Sequence, residues 1–247
     1  MTLLQCTNLT RRFGELVAVN NISFKVGRGE IFGVAGPNGA GKTTLFNLIC
    51  GYLKVNEGKI FFDGKDITKK PVHVRCHLGI ARTFQIPEVF ASLPIFLNVA
   101  VGAHFRRDLK RISLSFDSKT IKKAEDILEF TGLIKKKDMI AKNLSLLDKK
   151  LLMLSSALAT EPKLLLLDEP TSGLNPKEIE ELMRLIKRIN EEFSVTIILI
   201  EHIMKTLMGL SDKVMIMHHG KKIAEGTPKE VSNNKEVIEI YLGERYV

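Results

Sequence analysis

A glycine-rich stretch, Gly36-Pro37-Asn38-Gly39-Ala40-Gly41-Lys42-Thr43-Thr44, carries the spacing G-x-x-x-x-G-K-[ST], and its residue types suit one chemistry. Glycines let successive backbone N–H groups converge on a polyphosphate, and a helix starting at the lysine adds the positive end of its dipole. Lys42 then reaches the β- and γ-phosphates, and the Thr43 hydroxyl serves Mg²⁺. The motif carries this meaning only between a strand and a helix. Glu30 to Ala35 reads as that strand and Lys42 to Cys50 as that helix, so a plain glycine-rich turn explains less than nucleotide binding does.

Carboxylates follow far along the chain, in Leu164-Leu165-Leu166-Leu167-Asp168-Glu169-Pro170. Four apolar residues ending in two acids read as a buried strand of a parallel sheet with carboxylates at its carboxyl end, the end at which open α/β sheets bind ligands. Asp168 is then placed to hold Mg²⁺ through water, and Glu169 to act as general base or to polarise the attacking water. An acidic turn after a strand is the plainer reading, weakened by the phosphate loop beside it. His202, at the end of the apolar run Val195 to Ile200, either reaches the γ-phosphate or is structural. Gln85 closes the run Ile80 to Gln85, where its amide suits a metal-bound water or simply the surface. Phe13, in Arg11-Arg12-Phe13-Gly14, either stacks on an adenine or packs.

The elements that must position these groups divide the chain in three. Leu3 to Val26 alternates apolar runs broken by Asn and Gly, the pattern of antiparallel strands. Gly58 to Gly64 reads as a strand ending in an Asp-Gly turn. From Pro87 to Pro162 helical periodicity takes over, with Ile121, Ala124, Ile127 and Leu128 on one face and Leu151 to Leu154 with Ala157 and Leu158 on another. Asn175-Pro176-Lys177-Glu178 and Thr227-Pro228-Lys229-Glu230 are helix starts, each with an N-cap, a proline at the first helical position and Glu at the third. The first of these opens a helix whose buried face is Ile179, Leu182, Met183, Ile186 and Ile189. The fold class is therefore α/β, a nucleotide-binding core from 1–86 and 161–247 with an N-terminal antiparallel β portion and a helical subdomain at 87–160. No linker rich in Pro, Gly or Ser flanks the helical part, so it should pack on the core.

Composition bounds the class. With 247 residues, 45% hydrophobic and 26% charged, the chain has a globular composition and enough length for a large core. No apolar run reaches the ~18 residues of a membrane-spanning helix, and Met1 to Cys6 lacks the regions of a signal peptide. The expected location is the cytoplasm. Cys6, Cys50 and Cys76 are too few and scattered for a disulfide framework and read as buried small hydrophobes. His73, Cys76 and His77 share a helical face without an evident fourth metal ligand. The net charge of +9 is spread along the chain, tightest at Arg106-Arg107, Lys110-Arg111 and Lys135-Lys136-Lys137, without interleaved aromatics and with no Trp. A solvated face explains it better than nucleic acid, with a peripheral membrane contact between the two.

Taken in order, these motifs resemble the ATP-binding subunits of ABC transporters over nearly the whole chain. In that light Gly36 to Thr44 looks like Walker A and Leu164 to Glu169 like Walker B with its catalytic glutamate. Gln85 looks like the Q-loop glutamine, a Mg²⁺ ligand, Thr171-Ser172-Gly173-Leu174-Asn175 like the D-loop, His202 like the switch histidine and Phe13 like the adenine-stacking aromatic. Ala81 to Gln85, Leu97 to Gly102 and the ending Ile238 to Glu244 are similar to the subunits of branched-chain amino acid importers; Tyr241 to Glu244 is also similar to the lipopolysaccharide-export ATPase. The resemblance implies ATP and Mg²⁺ as ligands, transmembrane permease subunits and a second ATP-binding subunit as partners, and a place on the inner face of the membrane.

One motif departs from the family. The signature, usually Leu-Ser-Gly-Gly-Gln or near it, appears as Leu144-Ser145-Leu146-Leu147-Asp148, and Ser156 stands where an arginine is common. In the family two subunits close head to tail, each signature touching the γ-phosphate held by the other. A leucine at 147 should crowd that phosphate, and Asp148 should repel it. The expectation is a heterodimer with unequal sites, in which this chain's ATP is hydrolysed against a companion's intact signature; a homodimer would be slow at both sites. Two other readings stand beside it: a regulatory subunit that binds ATP with little turnover, and an ABC-type protein acting on nucleic acid, disfavoured by the single phosphate loop and the lack of long coiled coils.

Overall fold

The structure, a computed structural model, describes residues 1–105 and 116–243. Strands β1 (Thr2–Phe13) and β2 (Leu16–Gly27) form a long hairpin. The asparagines that seemed to break this segment instead sit inside it: Asn8 and Asn21 have φ of 49° and 54°, at irregular points of the register. Strand β3 (Ile31–Ala35) leads through the glycine-rich loop to α1 (Lys42–Cys50), followed by β4 (Glu57–Phe62), β5 (Lys65–Asp66), α2 (Val72–Leu78) and β6 (Ile80–Arg82). Asp63 and Gly64, both at positive φ, make the tight turn that joins β4 to β5.

Helices α3 (Ile95–Phe105), α4 (Ser118–Phe130) and α5 (Leu146–Ala159) come next, then β7 (Leu164–Asp168), α6 (Pro176–Phe193), β8 (Thr196–Ile200) and α7 (Met204–Leu210). Strands β9 (Lys213–His218) and β10 (Lys221–Gly226) and helices α8 (Pro228–Ser232) and α9 (Lys235–Gly243) end the described chain. The basic groups Arg106-Arg107 and Lys110-Arg111, and the last residue of the Tyr241 to Glu244 tract, lie outside the described residues.

Four strands form an antiparallel sheet in the order β2-β1-β4-β5, and six form a second sheet in the order β10-β9-β3-β8-β7-β6. In the second, β6, β7, β8, β3 and β9 are parallel, so their carboxyl ends share one edge. Alternation along the buried strands builds a core on each face. Ile31, Ala35, Leu165, Leu167, Ile197 and Leu199 pack on the side of α5 and α6. Phe32, Val34, Leu164, Leu166, Ile198 and Ile200 pack on the side of α1 and the antiparallel sheet. Each fully buried leucine is worth roughly 2 kcal/mol, so the four-leucine run fixes β7 at the sheet's interior. Buried residues of helices α3 to α5 join the first of these cores.

Details differ from the sequence pattern. Ile121 is exposed and Thr120 is buried in its place, because the buried face of α4 centres on Ala124, Ile127 and Leu128. In α6 the fully buried residues are Leu182, Leu185, Ile186 and Ile189, while Ile179 and Met183 are only partly covered. Strand β6 ends at Arg82, and Gln85 leaves the strand altogether. Both helix starts are capping boxes, at Asn175 with Glu178 and at Thr227 with Glu230. Cys6 and Cys50 are buried and Cys76 is half-buried; burial pushes the Cys50 thiol up to about 11. No cluster of His, Cys, Asp or Glu able to hold a metal exists among the described residues, so His73, Cys76 and His77 do not form one.

Candidate nucleotide and catalytic site

Glycines in the loop between β3 and α1 answer to their neighbours as well as to a ligand. A Cβ on Gly36 would lie 2.0 Å from the Met217 carbonyl of β9, and one on Gly41 2.1 Å from the Ala18 carbonyl of β2. Their φ values, 146° and 97°, favour glycine independently. The loop is thus threaded between two strand ends that accept no side chain there. Lys42 is buried, and its Nζ donates to the carbonyl oxygens of Gly36 at 2.6 Å and Pro37 at 2.8 Å. A cavity of about 400 Å³ opens over the loop, bordered by Phe13, Val17, Asn38, Thr43, Glu169 and His219. Phe13 is half exposed at its mouth, with the Arg11 guanidinium 4.6 Å from its ring centroid.

Three residues far apart in sequence meet on one carboxylate. Gln85 Nε2 donates to Glu169 Oε2 at 2.7 Å, and His202 Nε2 lies 2.6 Å from Glu169 Oε1, so this nitrogen carries the proton. The strand order brings them together: β6 delivers Gln85, β7 Asp168 and Glu169, and β8 Glu201 and His202, all at the sheet's carboxyl edge. Glu169 has φ of 47°, and its N–H donates to the Ile200 carbonyl at 3.0 Å. A left-handed glutamate costs of order 1 kcal/mol, a strain that turns the side chain out of the strand.

Asp168 is held by a residue that sequence reasoning passed over. Arg82 Nη2 donates to Asp168 Oδ2 at 2.7 Å and Arg82 Nη1 to Asn47 Oδ1 at 2.5 Å. Both partners of the pair are less than a tenth exposed. Burial pushes the Asp168 carboxyl above its ordinary value, opposed by the Arg82 hydrogen bond and charge. Removing one partner of a buried pair strands the other charge, so Arg82→Met should lower unfolding stability by about 3 kcal/mol. Urea denaturation measures this; an unchanged midpoint would show the pair to be dispensable. The hydroxyls of Thr43 and Thr44, the Asp168 carboxylate and the Gln85 amide are hard oxygen donors, a set that fits Mg²⁺.

The signature region differs from its sequence-based expectation in two ways. Asp148 is not a bare repelling charge, because its Oδ2 accepts from Lys136 Nζ at 2.6 Å. Leu147 is half-buried against the helical core, whereas Leu146 stands exposed at the first turn of α5. Its Cδ2 lies 2.9 Å from where a Cβ on Gly173 would be, so Leu146 leans on the segment that resembles the D-loop. Ser145 caps α5, its Oγ accepting from the Asp148 N–H at 3.1 Å. Ser156 lies where α3 crosses α5: a Cβ on Gly102 would be 2.4 Å from the Ser156 carbonyl, and its Oγ donates to the Leu152 and Asn98 carbonyls at 3.0 and 3.3 Å.

Two further buried groups support the site. Glu201 Oε1 accepts from the Thr171 N–H at 2.9 Å and the Thr171 hydroxyl at 2.6 Å, tying the segment after β7 to the end of β8. Lys150 of α5 reaches the Gln85 and Glu169 carbonyls at 3.4 and 3.5 Å. Periodicity held a signal for it: Leu147, Lys150, Leu151 and Leu154 share one helical face, and the lysine sits on the apolar side.

Residues 19–172 match the family model described as ABC transporter, and residues 221–247 one described as branched-chain amino acid ATP-binding cassette transporter. The chain is 38% identical over 250 residues to the high-affinity branched-chain amino acid transport ATP-binding protein LivG of Escherichia coli strain K12, covering 98% of both. To the probable branched-chain amino acid transport ATP-binding protein LivG of Archaeoglobus fulgidus it is 37% identical, covering 98% of this chain and 96% of that one. The ADP conformation of MJ1267, an ATP-binding cassette of an ABC transporter, superposes with a TM-score of 0.89 at 32% identity, covering 98% of this chain and 99% of that one. No helix among the described residues is long and apolar enough to cross a membrane.

Proposed function

The chain belongs to the ABC transporter family as an ATP-binding subunit, and from that premise we propose that it hydrolyses ATP on the inner face of the membrane to drive import of branched-chain amino acids through membrane subunits docked near its helical subdomain and Gln85. What carries the reading is the junction of Gln85 and His202 on the Glu169 carboxylate, beside the cavity over the phosphate loop. The full-length similarity to branched-chain amino acid transport proteins supports the substrate class.

Each group has a task in this reading. Phe13 stacks on the adenine, the backbone from Gly36 to Thr44 cradles the phosphates, and Lys42 exchanges its loop carbonyls for phosphate oxygens. Thr43, Asp168 and Gln85 would hold Mg²⁺, which would supply neutralisation of the phosphate charge. Glu169 orients the attacking water and takes its proton, and His202 donates a hydrogen bond from Nε2 to the γ-phosphate once nucleotide draws it from Glu169. Phosphoryl transfer to water needs placement and charge stabilisation, and these residues supply both. The 1–86 and 161–247 portions act as the nucleotide-binding core and 87–160 as a helical subdomain.

With leucines where the family signature has glycines, the chain works in a heterodimer, contributing an intact hydrolytic face to a site completed by a companion's signature. Leucine uptake into vesicles holding the complete transporter tests the function. Uptake should require MgATP and be lost in Lys42→Ala, whose MgATP affinity should fall by about 30-fold or more, about 2 kcal/mol for the charge lost from the phosphates. ATP-driven uptake that survives Lys42→Ala would refute the assignment, and MgATP binding without leucine uptake would refute the substrate.

A further inference from the structure

Lys150 is a buried cation that the hydrolytic scheme leaves without a task. It is the fifth residue of α5, the helix whose N-cap is Ser145 of the signature, and its ammonium group points at the underside of the catalytic cluster. Nζ is within hydrogen-bond reach of two backbone oxygens, Gln85 O at 3.4 Å and Glu169 O at 3.5 Å. These belong to the two residues whose side chains join at 2.7 Å over the nucleotide cavity. Burial pushes the ammonium down from its ordinary value, while the nearby Glu201 and Glu169 carboxylates push it back up. An ammonium buried at such cost is retained only where its contacts compensate.

We propose that Lys150 is a positioning residue for hydrolysis, which seats Gln85 and Glu169 by holding their backbone carbonyls from the signature helix. This rests on the hydrolytic reading above. Gln85 lies past the end of β6 and Glu169 past the end of β7, so neither carbonyl has a place in the sheet ladder. The Glu169 carbonyl also accepts from the Ser172 N–H at 3.2 Å, leaving Lys150 as its tie to the helical side. One side chain thereby fixes the relative height of the water-orienting carboxylate and the metal-binding amide. A shift of α5, the helix that faces a companion's nucleotide, would be transmitted to this chain's own Glu169.

The test compares wild type, Lys150→Met, Lys150→Arg and Glu169→Gln in the full chain assembled with its transporter. A misplacement of about 1 Å can cost as much as 100-fold in rate, so Lys150→Met should lower kcat by about ten-fold or more, about 1.4 kcal/mol in barrier. The KM for ATP, and the Kd of the chain for MgATP, should stay within about two-fold, because the phosphate loop is untouched. Lys150→Arg, which keeps a cation with several donors, should recover kcat to within about three-fold of wild type. If the methionine variant fails to fold, Lys150→Gln carries the same expectation. A kcat unchanged in Lys150→Met, a loss confined to affinity, or an equal loss in Lys150→Arg would overturn the proposal. The Glu169→Gln arm separates the two readings. Wild type no faster than Glu169→Gln removes the hydrolytic function itself, whereas wild type faster and Lys150→Met equally fast removes only the positioning role.

Discussion

Glu169→Gln should abolish steady-state hydrolysis, by about 100-fold or more, while leaving the Kd for MgATP within about two-fold of wild type. The exchange is nearly isosteric, so the fold and the bond from Gln85 Nε2 to an oxygen at this position can persist. What disappears is the charge and the basicity. His202 Nε2 loses an anionic acceptor, and the water loses its general base. Because Glu169 also borders the cavity over the loop, affinity and turnover must be measured separately. A matched fall of both would mean that Glu169 binds nucleotide uniformly and takes no part in the chemistry. Hydrolysis at the wild-type rate would assign the base elsewhere.

A second large effect is expected at the signature. In the Glu169→Gln background the chain should remain monomeric by light scattering with or without MgATP, and replacing Leu146 and Leu147 together by glycine should make it dimerise when MgATP is added. The reason is steric. Leu146 is the exposed residue of the first turn of α5, where the proposed dimer would bring this backbone close to a second subunit's phosphate. Its contact with Gly173 also ties it to the segment after β7. Leu147 packs on the helical core, so its removal should cost about 2–3 kcal/mol of stability, with roughly 1 kcal/mol more for glycine in a helical turn. Thermal melts at matched concentration keep that loss apart from the change in association. A Glu169→Gln chain that already dimerises with MgATP would show that the leucines are tolerated and that a heterodimer is not required.

Much of this architecture can be read along the chain because it depends on local pattern. The glycine spacing from 36 to 44, the four leucines before Asp168 and the capping boxes at Asn175 and Thr227 each have a local physical cause, and the structure forms each where the pattern places it. Gln85, Glu169 and His202 were candidates singly; their meeting on one carboxylate depends on strand order, which no local pattern contains. Arg82 lay hidden in a short strand, and Lys150 shows in the pattern only as a lysine on the apolar face of α5. Charge alone made Asp148 look repulsive, because its partner Lys136 arrives from a separate turn across the helical part. Ile121 misled for a related reason: a helix with apolar residues on more than one face does not say which face a neighbour will cover.

In the proposed heterodimer this chain supplies a competent hydrolytic face and borrows its signature from another subunit. The most direct test of this arrangement is the ATP hydrolysis rate of the chain alone and in equimolar mixture with the second ATP-binding subunit of the assembled transporter, with Glu169→Gln as the blank. The chain alone should run near the blank, and the mixture should run about ten-fold faster or more, with the gain lost in Glu169→Gln. Equal rates alone and in mixture, or a gain that survives Glu169→Gln, would contradict it.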